Sequence, residues 1–153
     1  MLYADSYEHT EEGHITESAE VRNRQHEKRM AKLKGLRKEM KAPEIHSSQK
    51  GDIVLLGWGS TYGVLKEAMD QMNSQDMGVR LIHFREVYPF PECDFSKMID
   101  DHSKIISVEN NYSGQFASIF SHETGLAISQ QILKFDGRPF TAQEIITAVK
   151  EQL

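Results

Sequence analysis

The chain has 153 residues, a net charge of −5 and a single cysteine, Cys93. That length holds one domain with a packed core plus an extension. It contains no run of about 18 apolar residues to cross a membrane, and one cysteine excludes both an internal disulfide and a cysteine-ligated iron–sulfur cluster held by this chain alone. Residues 1–50 carry 10 Lys/Arg against 9 Asp/Glu and residues 51–153 carry 8 against 14. The larger part therefore offers no broad basic face, which argues against nucleic acid as a partner. The polar, acidic start from Met1 to His9 is unlike a secretory signal, and with the cysteine usage it points to the cytoplasm.

Residues 1–15 have few apolar side chains and no period, and they read as a solvated or partner-facing loop. His9 and His14 are five apart, not the four of a helical metal-binding pair. Residues 17–40 read as a helix, with Thr16 or Ser18 as cap, acidic residues first and basic residues later. Its apolar stripe is thin (Val21, Met30, Leu33, Leu36, Met40), so it should lean on something outside its own domain. Ala42-Pro43 ends it. Residues 44–46 suit a short edge strand, and Ser47 to Gly51 a loop.

Ile53 to Leu56 is a continuous apolar run bounded by turn residues, the mark of a strand buried on both faces. Gly57, Gly59, Ser60 and Thr61 follow as a turn able to cap a helix, and Val64, Leu65, Ala68, Met69 and Met72 recur at helical spacing. A polar turn leads to a second strand, Val79 to Phe84. Val87 to Pro91 is extended, and Phe95, Met98 and Ile99 mark a short helix. Lys104 to Val108 is a third strand. Ser113-Gly114-Gln115 opens a helix with Phe116, Ala117, Ile119 and Phe120 on one side. Gln131 to Phe135 is a fourth strand. Thr141 and Glu144 form a capping box and Phe140 and Ile145 a hydrophobic staple, before a last helix that buries Ile145, Ile146, Val149 and Leu153.

Alternating strands and helices imply an open, mostly parallel sheet with helices on both faces. The first strand then lies in the middle, between the second and third. Contacts in such sheets gather at the carboxyl ends of the strands flanking the switch point. The residues there are Gly57, Trp58, Gly59, Ser60 and Thr61 after the first strand, and the segment Glu109, Asn110, Asn111, Tyr112, Ser113, Gly114 and Gln115 after the third, all but Tyr112 being the candidate contacts. Trp58 is either an anchor for a partner or cover for the sheet edge. Glu109 is either a general base or thiamine-type activator, or an acceptor for turn N–H groups; no His or second carboxylate sits beside it to complete a catalytic set. The spacing of Gly57, Gly59 and Gly63 is not a dinucleotide fingerprint. Amides at Ser60 and Thr61 are suited to a phosphate or carboxylate, which leaves open an independent flavodoxin-like module binding a phosphate- or CoA-type ligand at the 57–61 turn. A receiver-type switch fails because no acidic pair follows the first strand.

Six segments in order carry a resemblance: residues 8–17 (EHTEEGHITE), 28–33 (KRMAKL), 57–61 (GWGST), 88–91 (YPFP), 108–115 (VENNYSGQ) and 133–140 (LKFDGRPF). Over nearly its whole length the chain resembles the C-terminal part of the α subunit of 2-oxoacid:ferredoxin oxidoreductases. The resemblance implies a transketolase C-terminal-domain-like fold: a three-layer α/β/α open sheet, mostly parallel, with residues 43–46 as an antiparallel edge. It implies an N-terminal loop and connector helix over residues 1–41 and the α/β domain over residues 42–153. The activity implied is oxidative decarboxylation of a 2-oxoacid to an acyl-CoA with electrons passed to ferredoxin. The complex implied uses thiamine diphosphate, Mg2+, iron–sulfur clusters and coenzyme A, none bound by this chain alone. The pyrimidine-binding domain, the diphosphate-binding domain and the cluster cysteines are absent from this sequence. The expected partners are therefore the rest of the α subunit and the β subunit, in an oligomeric, cytoplasmic complex, with this chain an inactive assembly domain.

Overall fold

The computed structural model describes residues 6–46, 51–100 and 102–153, so the expected loop at residues 47–50 lies outside the described residues. The chain divides into two compact units, Met1–Glu39 and Met40–Leu153.

In the first unit, α1 spans Ala19–Arg37, two or three residues shorter at each end than the sequence suggests. The Ser18 hydroxyl accepts from the Val21 N–H at 3.4 Å and caps it. None of its residues is buried, as a thin apolar stripe requires. The segment before it is more ordered than a solvated loop. His9 and Ile15 form an antiparallel bridge, and the Glu8 carboxylate accepts from Arg22 and Arg29 at 2.7 Å each. The Arg29 guanidinium, more than Arg22, holds Glu8 below the usual carboxylate range.

The second unit holds β1 (Glu44–His46), β2 (Ile53–Trp58), α2 (Tyr62–Asn73), β3 (Val79–Phe84), β4 (Lys104–Glu109), α3 (Gln115–Thr124), β5 (Gln130–Leu133) and α4 (Ala142–Glu151). Among the described residues these strands form one sheet in the order β1-β3-β2-β4-β5. Only β1 runs antiparallel, pairing Ile45 with Ile82. The first buried strand is central, with β3 and β4 parallel on either side.

Period-two alternation splits β2, β3 and β4 between two cores. Ile53, Leu55, Val79, Leu81, Ile106 and Val108 face α2 and α4. Val54, Leu56, Ile82, Phe84 and Ile105 face α3 and the 90–99 segment. There Phe84 meets Phe116 edge-on with ring centroids 4.9 Å apart. The result is an α/β/α sandwich. Asn73, at the end of α2, accepts from the Val79 N–H at 2.7 Å and donates to its carbonyl at 2.8 Å, which fixes where β3 begins.

Three expectations are corrected. Ile119 is exposed (38%), because Phe116, Ala117 and Phe120 set the centre of the buried arc and Ile119 falls at its rim. β5 ends at Leu133, so Phe135 lies beyond the strand and is 63% exposed. Leu153 follows the end of α4 and is 53% exposed. The capping box forms as read, Thr141 and Glu144 each accepting from the other's backbone N–H, and both staple residues are buried.

Candidate functional site

The switch point lies between β2 and β4, where the chain leaves the centre of the sheet in opposite directions. After β2, Gly59 adopts φ +57° and the chain makes one 3-10 turn over Gly59–Thr61 before α2. Thr61 does not cap that helix. Its hydroxyl donates back to the Trp58 carbonyl at 2.8 Å, because the 3-10 turn folds the side chain over the strand end. Gly57 is needed for close approach: a Cβ there would stand 2.1 Å from Cδ1 of Leu65. The Gly59 carbonyl accepts from Nε2 of His83 at 3.1 Å. Burial holds that imidazole below its ordinary pKa, opposed by the Gly59 hydrogen bond and by Glu44, and aided by His46 and Arg85. Trp58 is 36% exposed, its ring tilted 6.1 Å from that of Phe116, so it both covers the sheet edge and shows a face to solvent.

After β4 the hydrogen bonds close on themselves. Glu109 is fully buried. Its Oε1 accepts from the Ser107 hydroxyl (2.9 Å) and the Ala117 N–H (2.8 Å). Its Oε2 accepts from Asn111 Nδ2 (2.7 Å) and the Phe116 N–H (2.8 Å). Asn111 Oδ1 takes the N–H groups of Ser113, Gly114 and Gln115 at 3.2, 2.8 and 3.3 Å. The amides that open α3, which attract anions in general, are thus occupied by an internal carboxylate and an internal amide. Of the two sequence readings of Glu109, this geometry is that of the acceptor.

The two turns do meet. Ser60 and Asn110 line one cleft of about 420 Å3, together with Lys134, Phe135, Gly137, Arg138 and Pro139 from the segment after β5. Trp58, Gly59, Ser113 and Gln115 are exposed nearby in the chain, whereas Gly57, Thr61, Glu109 and Gly114 are buried supports and Asn111 is half-buried. Tyr112 falls within the 109–115 segment that the sequence places at the switch point, and it is exposed. Arg138 and Phe135 lie outside that prediction, in a segment that reads as strand and turn, and nothing in its pattern marks which side chains stay uncovered.

The sequence family described as pyruvate:ferredoxin oxidoreductase core domain II matches residues 51–145. The α subunit of 2-oxoacid:ferredoxin oxidoreductase 1 from Sulfurisphaera tokodaii is 35% identical over 97% of this chain and 24% of its own length. The solved 2-oxoglutarate:ferredoxin oxidoreductase from Magnetococcus marinus, with 2-oxoglutarate, coenzyme A and succinyl-CoA bound, aligns with a TM-score of 0.75 at 28% identity, over 99% of this chain and 27% of that one. A transketolase from Pichia stipitis shares the fold, with a TM-score of 0.57 at 15% identity over 73% of this chain and 18% of that one. The chain spans about a quarter of the length of the 2-oxoacid:ferredoxin oxidoreductase subunits it matches. It belongs to the pyruvate:ferredoxin oxidoreductase core domain II family and is homologous to one part of the α subunit of 2-oxoacid:ferredoxin oxidoreductases.

Proposed function

We propose that this chain is the C-terminal assembly domain of the α subunit of a thiamine-diphosphate-dependent 2-oxoacid:ferredoxin oxidoreductase. The complex oxidatively decarboxylates a 2-oxoacid to an acyl-CoA and passes electrons to ferredoxin. Residues 42–153 dock the pyrimidine-binding domain and the β subunit through the corner built from residues 57–61 and 109–115, and residues 1–41 are the connector. The complex is heteromeric and cytoplasmic; no helix among the described residues is long and apolar enough to cross a membrane.

The closed hydrogen-bond set around Glu109 carries this reading. A carboxylate with two donors on each oxygen has nothing left for a thiamine ring or a substrate proton. One cysteine does not ligate a cluster. Glu109 therefore does not suit the activation of a thiamine ring, and Cys93 alone does not suit a cluster; in this reading those groups, with Mg2+ and coenzyme A, belong to other parts of the complex. What this corner does offer is Trp58, an anchor of the type that dominates interfaces.

The purified chain is expected to show no 2-oxoacid-dependent reduction of an electron acceptor and no visible iron–sulfur absorption. Joined to the rest of the complex, W58A should weaken assembly about tenfold, read by mass photometry on dilution. Turnover by the lone chain overturns the proposal, and so does assembly of W58A with unchanged affinity.

A further inference from the structure

The cleft at the switch point holds two cations in different states. Lys134 is spent: its Nζ donates to the Pro139 carbonyl at 3.1 Å and to Glu144 at 2.7 Å, and its side chain is 14% exposed. Arg138 is exposed, and among the described residues no carboxylate pairs with its guanidinium. The backbone beneath it is held. Asp136 Oδ1 accepts the Arg138 N–H at 3.0 Å, and Asn110 Nδ2 reaches the Arg138 carbonyl at 3.5 Å. Asp136 thereby commits one oxygen to the turn.

Beside this arginine lies an uncovered aromatic pair. Tyr112 and Phe135 meet edge-on at 4.8 Å between centroids, yet they are 74% and 63% exposed. Each ring steadies the other, so little side-chain freedom remains to be lost when something covers them. Phe135 and Arg138 line the same cleft. Arginine and aromatic side chains on a preformed surface are the composition of an interface centre.

We infer that Arg138, which shares its cleft with Phe135 while Tyr112 packs on the Phe135 ring, receives an aspartate or glutamate side chain of a partner polypeptide in the same oxidoreductase assembly. This rests on the docking role proposed above and names its chemistry. Charge complementarity selects the occupant: the guanidinium fork matches a carboxylate in two parallel N–H···O bonds. Packed aromatic surface around such a pair excludes water and strengthens it. A phosphate-bearing small molecule fits less well, because the cleft supplies one uncommitted cation and the neighbouring amides at residues 113–117 are already taken.

The test uses the intact complex, with R138E, R138K, F135S and W58A each compared with wild type for dissociation on dilution. R138E is expected to weaken assembly at least about tenfold, R138K less, and F135S by several-fold. A photo-crosslinking amino acid at position 135 should capture a partner peptide containing Asp or Glu, and reversing that residue to Lys should restore assembly with R138E. If R138E assembles like wild type while W58A does not, the docking role stands and this inference is overturned. If neither variant changes assembly, both are overturned. If R138Q abolishes binding of coenzyme A or inorganic phosphate by the complex without altering assembly, the site is a small-anion site and the inference is overturned. Arg138 and Phe135 are exposed, and thermal melts of the variants within a few degrees of wild type separate these outcomes from misfolding.

Discussion

Glu109 sits where a catalytic carboxylate would sit, at the end of a strand beside the switch point, and each of its oxygens accepts two hydrogen bonds from the chain around it. In E109Q the amide nitrogen has to face donors. The less costly orientation puts it toward Ser107, whose hydroxyl can turn to accept, but the Ala117 N–H then loses its acceptor in a buried position. Losing charge-assisted bonds and leaving one buried N–H unpaired should cost about 2–4 kcal/mol, measured as a lower urea midpoint with an unchanged slope. An unchanged midpoint together with lost turnover of the complex would make Glu109 a catalytic group. The same residue marks a limit of sequence reading. The type and position of Glu109 were legible, but its role depends on where the amides of α3 point, and that is fixed only when the 110–114 turn closes.

At the scale of elements, most of the fold was legible, for one reason. Ile53 to Leu56, Val79 to Phe84 and Lys104 to Val108 are predominantly apolar segments too short for helices, and residues 64–72 and 116–120 have helical spacing, so order and placement follow. Apart from Ile119 at the rim of the buried arc of α3, the differences fall at element ends, where local hydrogen bonds decide: Thr61 turns back to Trp58, β5 stops at Leu133, and α4 ends before Leu153. The end of α4 that was read correctly is the one with reciprocal bonds. T141A removes the acceptor for the Glu144 N–H and should cost about 1 kcal/mol in unfolding free energy. The Glu144 carboxylate is brought from the usual 4.5 to about 2, first by the Lys134 hydrogen bond and then by the Thr141 N–H. A lowered value means the unfolded chain takes up the proton first. The stabilisation is therefore complete above about pH 4.5 and is lost as the pH falls from there toward 2. E144Q should flatten the stability profile across that window, and an E144Q profile parallel to wild type would show the bond to be inconsequential.

For the molecule as a whole, the two units differ in what holds them. Every buried hydrophobic side chain among the described residues lies between Ile53 and Val149, in two cores that share the same sheet. α1 has no buried residue, and a polar helix of its 19 residues gains little from propensity alone. Residues 40–153 by themselves should unfold in urea in one transition, coincident by Trp58 fluorescence and far-UV circular dichroism, because a sheet with both faces covered loses its layers together. A peptide of residues 1–39 should be only partly helical in water, with helicity falling at high salt as the Glu8 pairs with Arg22 and Arg29 are screened. Separate fluorescence and dichroism transitions in residues 40–153 would mean the two cores are not one cooperative unit. A fully helical, salt-insensitive peptide would mean residues 1–39 carry their own stability and need no partner to order them.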